Sequence, residues 1–327
     1  MPKTCLSVNK GISMHQSQRV SIIIVARDTV EKTERCLASV RESTYPNFRI
    51  IVVDNGSKPT LTSIFSSSFP DVEFIQNPDN LGFAVGCNQG LKYARAQGDE
   101  LFFILNNDAY VAADALSNMV SAFDNRPELG IVTAKIYYTH TPERIWTVGE
   151  RISNWTYDVI SRYSNTRDIG QWEDFHYIDY APFCGILMNR AVLESVGFLD
   201  ESFFAYYEDM DYCVRTRKAE FKLGMEPRAH IYHDVASTSG GMDSPAYRYW
   251  MGQSTGRYFR KHCMGFRMVI VFPLKCYSLI RNTIELSRSG NWKAIAAYWH
   301  GWILGWTKRT AKNPLPKWLM DTKKTGR

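Results

Sequence analysis

The chain has 327 residues, 45% of them hydrophobic and 22% charged, which is enough length and apolar content for one large domain or two smaller ones and excludes disordered and fibrous classes. Its net charge of +6 is unevenly spread: residues 257–327 hold 15 basic and 2 acidic side chains, a balance of +13, while residues 1–256 hold 24 and 31, a balance of −7. A mildly acidic body joined to a strongly basic tail points to nucleic acid or an anionic membrane as the tail's partner.

Residues 1–18 are polar, lack the apolar stretch of a signal peptide, and read as a flexible segment. The 7 cysteines are scattered, with no Cys-x-x-Cys pair, so neither a disulfide framework nor a cysteine zinc site is expected and a reducing cytoplasm fits. No window reaches the ~18 to 20 apolar residues of a membrane span. Any membrane contact is therefore expected to be peripheral.

Val20 to Ala26 is a β-branched run that reads as a strand buried on both faces. Thr29 is placed to cap the next helix, where Val30, Thr33, Leu37 and Val40 share a face. Further strands are expected at 49–53, 72–76 and 101–105, with a helix at 84–97. Strands alternating with helices through short loops predict an α/β fold with a parallel, doubly wound sheet, whose ligands bind at the carboxyl ends of the strands. Arg27-Asp28, Asp54-Asn55 and Asn107-Asp108 each follow a buried strand directly. All three should gather on one sheet edge, where they suit a polar ligand or a metal, although each alone also suits a helix cap.

Between residues 80 and 90, Gly82, Gly86 and Gly90 stand four apart at a loop-to-helix junction; they permit close approach of a ligand, or tight helix packing. Residues 131–138 read as a strand, 145–171 have no clear period and read as an insertion covering the site, and 180–189 are apolar around Gly185. Helices are expected at 190–196 and 208–218, followed by strands near 221–225 and 230–233.

Taken in order, VSIIIVARD, IIVVDNGS, NLGFAVGCNQG, ILNNDAYV, FFAYYEDMDYCVR and HIYHD resemble the inverting glycosyltransferase family 2, in particular its bacterial rhamnosyltransferase-like branch of O-antigen and cell-wall polysaccharide synthesis. The resemblance spans residues 19–242 and implies the GT-A fold, a Rossmann-like, mostly parallel sheet flanked by helices. It also implies a nucleoside-diphosphate sugar donor (dTDP or UDP, with rhamnose as the sugar) and a divalent cation, Mg2+ or Mn2+. By position, Ala26, Arg27 and Asp28 would line the nucleobase pocket, and Asp54 would contact the base or ribose. Asn80, Gly82 and Asn88 would border the nucleotide sugar. Asn107 and Asp108 would lie at the diphosphate, Asp108 closing the Asp-x-Asp motif whose first position is Asn106 here. His233 would join Asp108 in holding the metal, while His230, which faces the opposite side of a strand, is left structural.

Glu208-Asp209-Met210-Asp211 matches the family's acidic motif, at a helix N-terminus that favours anions. Displacement with inversion needs one carboxylate to take the proton of the attacking hydroxyl, and Asp209 is the first choice for that base, Glu208 the second. Asp211 is expected to support them, paired with Arg215 one turn later.

Residues 243–327 form the basic tail, which carries six of the nine tryptophans, five of them at 292–318, and reads as helical. Lys and Arg with interfacial Trp suit an amphipathic helix on an anionic bilayer, and a helical bundle packed on the body is the alternative; no nucleic-acid module is recognisable. The expectation is a transferase acting on a saccharide or lipid-linked saccharide at the cytoplasmic face of the inner membrane. The alternative is a catalytically silent nucleotide-sugar-binding or scaffold member of a polysaccharide-assembly complex.

Overall fold

A computed structural model describes residues 18–124, 126–160, 164–235, 241–307 and 315–320. Residues 1–17 of the flexible segment expected over 1–18, and the basic residues at 308–314 and 321–327, lie outside the described residues.

The elements run β1 (Val20–Ala26), α1 (Val30–Arg41), β2 (Phe48–Asp54), α2 (Leu61–Phe65), β3 (Val72–Gln76), α3 (Phe83–Ala96), β4 (Leu101–Asn106) and β5 (Ala109–Val111). Then come α4 (Ala115–Ser121), β6 (Leu129–Tyr138), β7 (Thr141–Thr147), β8 (Arg151–Ile152), β9 (Val159–Ile160), β10 (Thr166–Arg167), β11 (His176–Ile178), β12 (Gly185–Asn189), α5 (Arg190–Val196), α6 (Glu208–Lys218) and β13 (Lys222–His233). The C-terminal region is helical throughout its described elements: α7 (Pro245–His262), α8 (Phe266–Arg288), α9 (Trp292–Thr307) and α10 (Lys317–Met320).

Strands β3, β2, β1 and β4 lie side by side and parallel, as their unbroken apolar runs require. Their register brings Ala26 level with Asp54 and Val25 level with Asn106, so the three polar turns gather on one edge. Beyond β4 the sheet is no longer doubly wound and parallel. Strand β12 runs antiparallel to both β4 and β6, and β13 runs parallel to β6. The two strands expected at 221–225 and 230–233 are one, bent by a register irregularity between Glu226 and His230. The stretch 145–171 is only partly an insertion: Ile145 and Thr147 pair with β6, and β10 extends that edge.

The glycines of α3 explain how that helix lies on the sheet. A Cβ on Gly86 would sit 2.8 Å from a Val25 methyl, and one on Gly90 would strike the Ile23 side chain at 2.5 Å, so these two serve helix packing.

Helix α7 shares a core with the body. Its Tyr258 and Phe259 pack with Ile152, Phe203, Met210 and Val214. Among the described residues no helix is long and apolar enough to cross a membrane, and the six cysteines there are free thiols.

Candidate active site

The turns after β1 and β2, with the loop before α3, enclose a cleft of about 350 Å³ lined by Arg27, Asp28, Gly56, Lys58, Asp79 and Asn80. Asp28, half exposed in a left-handed conformation with φ 55°, pairs with Arg27 at 3.3 Å and accepts the Lys58 amide at 3.1 Å. Asn80 lines the cleft and steadies the loop by accepting the Gly82 amide at 3.0 Å.

Asp54 is placed differently from the expectation that it touches the base or ribose. It is wholly buried, and its two oxygens accept the amides of Ser57 and Leu61, both at 2.8 Å, so it folds the loop that forms the cleft wall. Ala26 is buried and offers its carbonyl to the Asn55 amide at 2.8 Å. Gly82 has φ +89°, and its Cα faces the Phe204 backbone, where a Cβ would lie 2.6 Å from the carbonyl; that direction is filled by protein. Asn88 spends its amide group on Leu199 and Glu201. Asn107 turns inward to donate to Thr29 and Thr33. The hydroxyl of Thr29 therefore holds the β4 turn and does not cap α1, whose N-terminus has no side-chain cap bond. These residues brace the site from behind.

The turn between β4 and β5 brings the diphosphate end together. Because β5 pairs antiparallel with β13, Ala109 opposite His233, Asp108 falls beside that histidine. His233 Nε2 lies 3.2 Å from Asp108 Oδ1 and 3.4 Å from Asn106 Nδ2. His230 points elsewhere, with Nε2 at 3.1 Å from the Pro227 carbonyl.

Among the described residues no group of three or more His, Cys, Asp or Glu could hold a metal ion. One carboxylate and one imidazole, with a neutral Asn beside them, still fit a hard divalent ion that takes its remaining ligands from a diphosphate and water. The buried Nδ1 of His233 has no hydrogen-bond partner.

The acid helix α6 starts after two successive left-handed residues, Tyr206 and Tyr207, with φ 68° and 67°, a strained entry of the kind found where a site needs a fixed aim. Glu208 is buried, and its Oε2 has no partner; burial, then the adjacent Asp209 charge, push its pKa well above the ordinary carboxylate range. Asp209 is partly exposed and accepts the Tyr180 hydroxyl at 2.8 Å. Burial raises its pKa too, although the Tyr180 hydroxyl and backbone amides pull the other way. Of the two, Glu208 holds its proton more firmly. Both Asp108 and Asp209 bear on the buried Cys184 thiol and, after burial itself, push it further up, so both carboxylates are within electrostatic reach of the residue just before β12.

Asp211 and Arg215 pair as expected, at 2.8 Å. Arg215 also donates to the Val196 and Phe198 carbonyls, at 2.9 and 3.0 Å. Sequence reasoning missed the other half of this network: Lys261 and His262 of α7 reach the same carboxylate at 2.7 and 2.8 Å, and the His262 hydrogen bond and these cations hold the Asp211 pKa down at about 2 against its burial. It also missed Tyr180 and Lys32, whose Nζ lies 2.5 Å from Asp234 Oδ2, next to His233. Lys32 had a signal, because a cation in the first turn of a helix opposes the helix dipole and asks for another reason to be there.

The family model for glycosyl transferase family 2 matches residues 21–197. A dTDP-rhamnosyl transferase of Shigella flexneri is 21% identical over 286 residues, covering 83% of this chain and 89% of that protein. A low-salt glycan biosynthesis hexosyltransferase of Haloferax volcanii is 24% identical over 53% of this chain. A pre-mycofactocin glycosyltransferase of Mycobacterium tuberculosis is 26% identical over 66% of it. The chain spans only 55% and 42% of those last two proteins, and 26% of an uncharacterized protein of Sinorhizobium fredii that is 28% identical over 72% of it. A mannosyltransferase of Pyrobaculum calidifontis, solved with GDP-Man and Mn2+, superposes with a TM-score of 0.54 at 17% identity, covering 86% of this chain and 74% of that one. GalNAc-T7, solved with UDP, GalNAc and Mn2+, superposes with a TM-score of 0.53 at 13% identity, covering 74% and 50%. The fold is GT-A, with a helical C-terminal extension.

Proposed function

The chain belongs to glycosyl transferase family 2, and from that premise we propose that it is an inverting, divalent-cation-dependent glycosyltransferase. It moves a sugar from a nucleoside diphosphate, dTDP or UDP, to a hydroxyl of a saccharide or lipid-linked saccharide in polysaccharide biosynthesis. The reading is carried by the pairing of His233 with Asp108 at 3.2 Å at the end of β4, and it is supported by Asp209 acting electrostatically on the same Cys184 thiol as Asp108. Rhamnose as the sugar draws support from the likeness to the Shigella dTDP-rhamnosyl transferase over most of that protein's length. A peripheral seat on the cytoplasmic face of an anionic membrane belongs to the same reading.

In this mechanism the nucleoside enters the cleft walled by Arg27, Asp28 and Asn80, and its diphosphate extends toward Asp108 and His233. Mg2+ or Mn2+ bound to that pair would neutralise the charge that grows on the departing diphosphate. Asp209 takes the proton of the acceptor hydroxyl as its oxygen bonds to the anomeric carbon, on the face opposite the breaking bond to the diphosphate. Tyr180 keeps the base aimed and favours its ionised form. Burial and the neighbouring Asp209 charge push the Glu208 pKa up, which favours its neutral form and leaves Asp209, held by Tyr180, as the acid better placed to carry the charge.

The test is a panel of nucleotide sugars with Mg2+ or Mn2+, read by donor turnover and by the thermal stabilisation that a ligand of the folded state produces. Turnover of a dTDP- or UDP-sugar by the wild type, lost in Asp209→Asn, is the expected result. Binding of a donor with no turnover by any acceptor tried would instead return the silent nucleotide-sugar binder.

A further inference from the structure

Helix α8 wears its apolar stripe on the side away from the protein. A helix packed on a core turns that stripe inward, and α8 does turn Val271, Leu279 and Leu286 in, buried. Yet Phe266, Val269, Tyr277, Ile280 and Ile284, at spacings of three, eight, three and four, point outward and are exposed by 75%, 66%, 66%, 51% and 48%. At 100° per residue these five span a sector opposite the buried one. Trp292, at the start of α9, adds a 68% exposed indole. Among the described residues nothing covers this face, and an apolar patch of that extent marks an interaction site.

The chemistry around the stripe selects its occupant. From residue 264 to 307 the chain carries five basic side chains and one acidic one, and Arg281, Arg288 and Lys293 are exposed. A protein partner with an apolar groove would meet the stripe without needing that charge, whereas an anionic lipid surface uses both. Apolar side chains that enter the acyl boundary, a basic rim at headgroup level and tryptophan beside it are the properties of a helix lying in the membrane interface. No described helix is able to span a bilayer.

We infer that the outer face of α8, with Trp292, docks on a leaflet containing anionic lipid. This rests on the transferase reading above and sharpens its acceptor to a lipid-anchored one. Helix α9 is packed backbone to backbone on α7, α8 contacts α9, and α7 is bonded through Lys261 and His262 to Asp211 of the acid helix. Docking therefore holds Asp209 at a set height above the leaflet, where a saccharide hydroxyl carried on a lipid is presented to it.

The experiment is co-sedimentation of the full chain with phosphatidylcholine vesicles, with and without phosphatidylglycerol, at low and high salt. Wild type is expected to bind the anionic vesicles and to be released by salt. A Val269→Asp/Ile280→Asp variant is expected to lose roughly tenfold or more in binding with an unchanged melting temperature. Arg281→Glu/Arg288→Glu, which leaves the stripe intact, is expected to lose the anionic preference. The inference is overturned if wild type ignores anionic vesicles at low salt, if the stripe variant binds like wild type, or if wild type proves to be a dimer that the stripe variant dissolves, since a second copy would then be the occupant. Donor turnover is measured on the same protein with a lipid-linked saccharide acceptor held in detergent, without vesicles: its absence in wild type sinks the transferase reading alone, and normal turnover without vesicle binding sinks the docking surface alone.

Discussion

Asp209 and Glu208 adjoin in sequence but meet different surroundings, and that contrast yields separate predictions. If Asp209 is the base, Asp209→Asn lowers donor turnover in the presence of acceptor by about 10² to 10⁴, the worth of a positioned proton acceptor. Since burial raises the pKa of Asp209, the rate should climb with pH through a value above the ordinary aspartate range. Tyr180→Phe removes a hydroxyl that favours the ionised form, so the rising limb should move to higher pH; a limb that stays in place would remove Tyr180 from the mechanism. Glu208 differs in sign and in kind. Its pKa is raised in the folded state, so the stability it contributes is present below its unfolded value and is lost as pH rises toward the folded one. Glu208→Gln should therefore raise the melting temperature at neutral and alkaline pH and change turnover little. Much of this site was legible as residue types: the carboxylates, His233 and the Asp211–Arg215 spacing all came from the sequence. Their orientation was not. Asp54, Asn88 and Asn107 occupy positions that suggested donor contacts, but a sequence does not reveal that the amides of Ser57 and Leu61, the Leu199 backbone and the hydroxyls of α1 already claim them.

At the scale of elements, the aim of α6 is fixed from outside the body. Asp211 is fully buried and held by Arg215, Lys261 and His262. With its pKa lowered from 3.8 to about 2, its stabilising contribution is present above the ordinary aspartate value and is lost as pH falls toward 2. Asp211→Asn removes the shared carboxylate from Arg215, Lys261 and His262, leaving Lys261 only Asp200 and Arg215 only backbone carbonyls, and should cost about 3 kcal/mol in a urea titration, since breaking a buried pair from one side costs about 3 to 5; a loss below 1 would mean that the network is solvated. Only the Arg215 arm was readable, because four residues is one helical turn, whereas Lys261 and His262 lie about 50 positions downstream with no periodicity to join them. Helix α9 is held by small residues. Gly252 and Gly256 of α7 face Gly301 and Gly305 of α9, and a Cβ on Gly252 would lie 2.6 Å from the Tyr298 carbonyl, one on Gly256 2.7 Å from the Gly305 backbone. That pair of small-xxx-small spacings brings two backbones together, and the spacing is present in the sequence, although spacing alone does not say which helix each glycine face meets.

For the whole molecule, the charge split describes composition better than it describes architecture. The −7 body and the +13 tail suggested a catalytic domain with an appended anchor, because unlike charges in separate segments look separable. The structure joins them through apolar contact: Phe203, Met210 and Val214 of the body are buried against Tyr258 and Phe259 of α7, and Phe204 stacks on Trp250 with ring centroids 4.2 Å apart. Both Phe203 and Phe204 belong to the loop that aims Glu208 and Asp209. Ending the chain at Met242 would therefore uncover that loop, open the core beneath α6 and strip Asp211 of two of its three partners. The expected result is loss of a cooperative thermal transition and of donor turnover together, in contrast to Val269→Asp/Ile280→Asp, which alters only the outward face of α8 and should keep both. Thermal melts and turnover of the two proteins side by side decide the matter. A truncated chain that still melts cooperatively and consumes donor would show that residues 243–327 are an appendage; failure of the truncated chain with an intact stripe variant would show that α7 belongs to the catalytic unit and that only the face beyond it is given over to location.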